Sequence, residues 1–413
     1  MELRLKYGRG EQNALLPPFM AVKELRSGGI APLSSLSRLL AGSLEKPVGI
    51  HPFDSVFRRA KNLLIVMPAD FYPHILSEIA SQVVARLQHI GVPPAEIRIL
   101  LADSSYSKPA SRDSTAGLAQ KTGLDPERIY THCTGDTAQR DYFGDSRQGF
   151  PFYGNRLLLE ADELLLIGVV QPHLLWGMTG GPELLFPGCM HEETLLRACD
   201  LLCRENHSTD GGTSIPGTNP AGKELLKALP ATFSINIVVD ETGRVVAVVS
   251  GKALQAYLAA AAWMDQIRNS DSSPPGSLTI ASCGGSPFDD QLDGLGLALN
   301  NTLALTHPGG DIVLLASCAM NGRAGSTTGE KYPARTLRRR LEQYLLNRIR
   351  GDIRDAAEKN VFLVSELPDA TVRSLQATPC RSLEQAIGLL RRGFNPNEAA
   401  RVIGNACMIR IPE

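Results

Sequence analysis

A chain of 413 residues, 43% hydrophobic and 21% charged, is long enough for two domains and has the make-up of a globular protein. A formal net charge of −1 gives no basic excess for nucleic acid and no acidic tail. No apolar run reaches the roughly 18–20 residues of a membrane span, and the opening "MELRLKYGRGEQ" lacks a signal-peptide core.

What is left is a cytoplasmic protein with a small-molecule partner, no nucleic acid, no membrane, and an oligomeric state that the sequence does not give. Eight cysteines are scattered without the paired short spacings of a zinc ribbon, so they read as thiols, mostly small buried hydrophobes.

In chain order, "ELRLKYG" alternates and predicts an edge strand. "SLSRLLAGSLEKPVGI" predicts a helix ended by Pro47-Val48-Gly49. "NLLIVMPA", residues 62–69, is an unbroken apolar run, the mark of a buried parallel strand. "HILSEIASQVVARLQHIG" follows at helical period. "EIRILLAD", "ERIYTHC" and "DELLLIGVV" predict further strands, with a short helix over "SRDSTAGLAQKTG". "HEETLLRACDLLCREN" predicts a helix, "FSINIVVDETGRVVAVVSG" a hairpin, and "KALQAYLAAAAWMDQI" an alanine-rich helix.

"NSDSSPPGS", residues 269–277, then breaks the pattern. A second β/α set follows, with strands at "LTIASCGG", "GGDIVLLASC" and "NVFLVSEL". The fold class is therefore α/β: two domains, each a mainly parallel sheet with flanking helices, and a cleft between them. The expected division is residues 1–269 and 278–413, with the last ~20 residues packing back on the first domain.

Ligands of parallel sheets bind beyond the carboxyl ends of the strands. Four such ends stand out: "PADFYPH", "ADSSYSKP", "QPHLLWGMTGG" and "SCGGSPFDD". Two are glycine-rich, which lets backbone amides approach a ligand. None is a GxGxxG or Walker A loop.

Nearly the whole chain resembles the nickel-dependent lactate racemase family of 2-hydroxyacid racemases and epimerases. The resemblance is carried by "LKYGRGE", by "SLEKPVGIHPFDSVFRRAKNLLIVMPADFYP", by "NRLLLEADELLLIGVVQPHLLWGMTGGPELLFPGCMHEETL", by "GTNPAGKELLKALPATFSINIVVDETGRVVAVVSGKALQAY" and by "SCGGSPFD". It implies a cleft holding a nickel-pincer nucleotide tethered to a lysine through a thioamide. It further implies one histidine ligand on the nickel, two histidines as acid and base, and hydride transfer at the 2-position of a hydroxyacid.

Residue by residue, the resemblance places Glu183 where the tethering lysine belongs, after Gly180, Gly181 and Pro182. A carboxylate cannot form the thioamide. The nickel-ligating histidine falls at Cys199. The arginine before proline falls at Tyr72, and the nearby aspartate at Ala69, or at Asp70 with a one-residue slip. A loop histidine becomes Tyr106, near Lys108, and the lysine after the "GGSP" stretch becomes Phe288. Of the acid/base pair only His173 is retained. The implied catalytic residues are thus His173 and Asp70, the cofactor contacts Gly180, Gly181, Glu183 and Tyr72, and the metal ligand Cys199.

Each has a plainer alternative. His173 ends a buried strand, where imidazole suits acid/base work or is simply held by a backbone carbonyl. Glu183 binds a cation or acts as a base, or is an exposed loop charge near a helix start. Cys199, Cys203 and His207 are four apart on a helix, with His191 eight before Cys199, a spacing that suits a soft metal. Yet Leu195, Ala198, Cys199 and Leu202 form the apolar stripe of that helix, which makes Cys199 a core residue. His132 matches the family only loosely and reads as a satisfied histidine. Asp289 or Asp290 is expected to cap the following helix. The run "RTLRRRLEQYLLNRIRG" reads as a solvated helix face with Glu342 as partner.

Two functions stay open: a racemase- or epimerase-type isomerase acting on a small 2-hydroxyacid or related polar metabolite, or an inactive relative that binds a metabolite or regulates. The cofactor is the nickel-pincer nucleotide held without the tether, or none.

Overall fold

The computed structural model describes residues 1–28, 35–69, 71–103, 112–205, 220–268, 274–322, 335–356, 358–390 and 398–410. The strands in chain order are β1 (Glu2–Tyr7), β2 (Gly10–Leu15), β3 (Val22–Leu25), β4 (Leu63–Pro68), β5 (Ile97–Ala102) and β6 (Ile129–Thr131). Then come β7 (Arg140–Asp145), β8 (Pro151–Asn155), β9 (Glu163–Val170), β10 (Pro172–His173), β11 (Gly177–Met178), β12 (Ala231–Val239) and β13 (Val245–Lys252). Last are β14 (Gly276–Ser282), β15 (Thr306–Leu315), β16 (Asn360–Val364), β17 (Thr378–Cys380) and β18 (Ala400–Ile403).

Twelve of them build two six-stranded sheets, and the other six pair as the two-stranded hairpins β1–β2, β7–β8 and β10–β11. The first runs β13-β12-β9-β4-β5-β6 and is parallel except for the β12–β13 hairpin. The second runs β17-β16-β15-β14-β18-β3 and is parallel throughout. The mixed α/β class read from the sequence is what forms.

The unbroken apolar runs become central strands because helices cover both faces. Along β4, Ile65 and Met67 enter one core with Ile99, Leu101 and Ile167, while Leu64 and Val66 enter another with Leu100 and Leu166. Alternate side chains thus serve opposite faces. The helix Pro73–His89 buries Leu76, Ile79, Ala80, Val83, Val84 and Leu87, one stripe at helical period. Proline at its first position donates nothing and so loses nothing. Gly91, at φ +96, turns the chain away after it.

Two placements differ from the sequence reading. Residues 22–25, for which the sequence reading predicted no strand, form β3, which pairs in parallel with β18 in the second sheet. The β1–β2 hairpin also lies on that second sheet: Gly8 N–H donates to Asp289 Oδ2 at 2.7 Å, and Ser286 N–H to Gly8 O at 2.8 Å. This occupies Asp289, which therefore does not cap the next helix; Gln291 precedes that helix without a side-chain cap bond. The C-terminal segment reaches the helix Ala253–Arg268, where Arg410 N–H donates to Arg268 O at 2.7 Å. No described helix is long and apolar enough to cross a membrane.

Candidate functional site between the sheets

β9 ends at Val170, and the chain folds back at once through β10 and β11. Thr179 fastens this return: its Oγ1 donates to Val169 O at 2.7 Å and accepts from Gln171 N–H at 3.1 Å. Gly180 and Gly181 follow at φ +81 and +47. The pair is needed for space as well as for dihedral freedom. A Cβ on Gly180 would meet Val169 O at 3.2 Å, and one on Gly181 would meet the Tyr257 ring at 2.6 Å.

The short turn Gly181–Leu184 then drives Glu183 inward, where it is 2% exposed. The exposed loop charge anticipated from sequence is therefore wrong; the turn buries the carboxyl instead. Its Oε1 has no hydrogen-bond partner. Burial pushes the Glu183 carboxyl up to about 8, although a hydrogen bond from the Gly180 amide pulls the other way.

Glu183 lines a cavity of about 460 Å³ between the two sheets. His173 and Gly180 join it from the first sheet. Phe288, Asp293 and Arg9 join it from the side of the second sheet. The His173 ring is held through Nδ1. Nδ1 accepts from the N–H groups of Leu175 at 3.1 Å and Trp176 at 3.4 Å, and Nε2 lies 3.7 Å from Asp293 Oδ2. Nδ1 is thus an acceptor and the proton sits on Nε2. Burial lowers the pKa of His173, with Asp293 opposing. In this tautomer the ring presents its Nε2–H to the cavity as a hydrogen-bond donor.

The other candidates are dispersed. Asp70, Tyr106, Lys108 and His207 lie outside the described residues, as does the Cys203 side chain. Tyr72 stands at φ +48 just before the helix Pro73–His89, and its buried hydroxyl has no partner. It packs on Phe71, and Phe71 rather than Tyr72 lines the cavity. Cys199 is buried with Leu195, Ala198, Leu225 and Leu337, and does not line the cavity. The metal assignment is corrected accordingly: this thiol is a core residue, because its helix turns the apolar stripe inward. No group of three or more His, Cys, Asp or Glu placed to hold a metal occurs among the described residues.

His132 is a satisfied core histidine, with Nε2 3.0 Å from Met190 O and Nδ1 3.4 Å from Asn155 Nδ2. His191 Nδ1 accepts from Glu193 N–H at the start of its helix. Glu342 accepts from Asn321 Nδ2 at 3.2 Å, and Arg338, on the supposed solvated face, turns into the cavity. Asp293 and Arg9 escaped the sequence reading. Nothing local marks either, since both reach the site from the other sheet.

Comparison with known proteins bears on the fold and the family. Residues 7–211 match the model of the lactate racemase N-terminal domain. A lactate racemase of Thermoanaerobacterium thermosaccharolyticum is 20% identical over the whole chain and 99% of its own length. That of Lactiplantibacillus plantarum is 23% identical over 68% of this chain and 66% of its own. The structure of the T. thermosaccharolyticum lactate racemase apoprotein covers 100% of both chains with a TM-score of 0.78 at 19% identity. A crystal structure of a Thermotoga maritima protein covers 91% of this chain and 98% of its own, with a TM-score of 0.59 at 16% identity. At such identities the two structures show the fold alone. With the domain match and the full-length relative beside them, the chain belongs to the lactate racemase family.

Proposed function

We propose that the chain is a racemase- or epimerase-type isomerase that takes a small 2-hydroxyacid or related polar metabolite between two lobes, one around each sheet. Family membership supports a racemase-like function. The observation that carries the reading is the loop from Gln171 to Gly188: it keeps the family's outline and presents His173, Gly180 and Glu183 to one cavity.

The family's tethered nickel cofactor does not fit the residues present. Glu183 stands where the lysine belongs, and the described lining contains no lysine. Four carboxyl side chains, Glu183, Asp290, Asp293 and Glu342, face two guanidiniums, Arg9 and Arg338. An anionic nucleotide gains little from such a lining. Binding and turnover are assigned to the chain's own groups: the Nε2–H of His173 as a donor to a substrate oxygen, and the apolar wall around Phe288 to exclude water.

The test is chiral analysis of single enantiomers of lactate and related 2-hydroxyacids. It uses protein made in cells that carry the cofactor-building machinery, with intact mass and nickel content measured on the same sample. Racemisation by protein with no added mass is the expected result. Added cofactor mass would overturn the untethered site, and absence of turnover on every acid would overturn the isomerase.

A further inference from the structure

We propose that Glu183 is a catalytic residue that exchanges a proton with the substrate, so that this site inverts a stereocentre by proton transfer beside a carbonyl or carboxyl group instead of by hydride transfer. The proposal rests on the isomerase reading of the same cavity.

Three observations carry it. First, Glu183 is buried, lines the cavity, and has an Oε1 with no partner in the protein. A buried carboxyl oxygen left unpaired is costly, and such groups collect where a ligand completes them. Second, the groups around it do not neutralise it. Tyr257 lies beneath the Gly181 turn, and Cys189 closes the loop. Burial first, and then the nearness of Glu183, pushes both upward, so both stay uncharged. The remaining charged groups of the described lining are Asp290, Asp293 and Glu342 with Arg9 and Arg338, and none of these bonds to Glu183 Oε1. Burial then brings the carboxyl to about 8, where both protonation states are populated near neutral pH. Third, His173 offers a fixed Nε2–H to the same cavity, because its Nδ1 is held by two backbone amides.

The step balances without a co-reactant. The Glu183 carboxylate takes the proton from C2 of the substrate. The C2–H bond breaks and an O–H bond forms on Glu183. The electron pair moves into the C1–C2 bond, and charge develops on the C1 oxygen, where the Nε2–H of His173 donates to it. The planar intermediate turns, the Glu183 O–H exchanges its proton with solvent water, and the O–H bond then breaks as a solvent-derived proton is delivered to C2 on the other face. Cavities of roughly 300–1,000 Å³ hold drug-sized ligands, so one of about 460 Å³ gives a small acid room to turn. Nothing is oxidised or reduced overall.

Two measurements test it. The first is infrared spectroscopy of protein with 13C-labelled glutamate carboxyls between pH 6 and 10. A protonated-carboxyl band that fades with a midpoint near 8 in the wild type and is missing in Glu183→Gln is the expected result; Glu183 ionised throughout the range overturns the proposal. The second incubates single enantiomers of lactate, mandelate and glyceraldehyde with either protein in D2O, with NMR detection at C2. Inversion with deuterium incorporated at C2, at least 100-fold slower in Glu183→Gln, is expected. Inversion without deuterium, or at equal speed in the variant, overturns proton exchange and leaves the isomerase standing. Inversion of no probe overturns the isomerase and this proposal with it.

Discussion

His173 Nε2 lies 3.7 Å from Asp293 Oδ2, and this contact joins the small β10–β11 hairpin that follows β9 to the first turn of the helix Leu292–Ala304 on the second sheet. Burial lowers the pKa of the imidazole, and the Asp293 carboxylate opposes this. Replacing Asp293 by Asn therefore moves the His173 midpoint to still lower pH. Ring-resonance NMR titration checks this; an unchanged midpoint would show that Asp293 does not act on the ring as a charge.

Gly181 leaves no room for a side chain. A Cβ there would lie 2.6 Å from Tyr257 Cδ2 and 2.9 Å from Tyr257 Cβ, at a φ of +47. Gly181→Ala should cost roughly 2–4 kcal/mol by overpacking and backbone strain together. The clash includes the Tyr257 Cβ, so Tyr257→Leu in the same chain recovers only part of it. Denaturant unfolding of the single and double variants gives the comparison.

The sequence was most readable where one local rule decides. "LLIVMP" and "LLLIGVV" are apolar at every position because helices cover both faces, and they became β4 and all but the first residue of β9. Position 199 was readable from the helix stripe, while the resemblance and the Cys/His spacing suggested a metal there. What escaped was set by distant chain. β3 pairs with β18 from the opposite end of the sequence, and no local pattern encodes that partner. Glu183 read as a loop charge because a Pro-Glu pair after two glycines is usually exposed; the fold of the turn onto Tyr257 decided otherwise. Tyr72 was expected in the site, but its left-handed backbone turns the side chain towards Gly243, leaving Phe71 on the cavity.

Asp289 holds the hairpin that carries Arg9. Its buried Oδ2 accepts from Gly8 N–H at 2.7 Å and Ser317 N–H at 3.2 Å. Asp289→Ala strands both donors and should cost roughly 2–4 kcal/mol. Asp289→Asn keeps an acceptor and costs less. Hydrogen exchange should rise across residues 2–15 in the alanine variant more than elsewhere; an even rise over the whole chain would place the role of Asp289 outside the hairpin.

His132 makes the fold acid-sensitive. Burial lowers its pKa from 6.5 to about 4, so the unfolded chain binds the extra proton between those values. Its contribution is complete above about pH 6.5 and is lost as pH falls towards 4. The full loss is about 3 kcal/mol. His132→Gln should flatten the stability profile over that window when urea unfolding is followed from pH 7 to 4.5. Parallel profiles would mean that the ring is not buried neutral.

Glu183 acts in the opposite sense. Its folded pKa lies at about 8, above the ordinary 4.5, so the folded chain holds a proton that the unfolded chain releases between those values. The stabilisation is complete below about pH 4.5 and is lost as pH rises through 8. The upper bound on that loss is on the order of 5 kcal/mol. Glutamine copies the protonated form at every pH. Glu183→Gln should therefore match the wild type near pH 5, gain on it steadily to pH 8, and hold a constant advantage above. A stability difference that does not change with pH would show that the carboxyl folds already ionised. The fold itself would then have to supply the cation that the described lining does not place beside it.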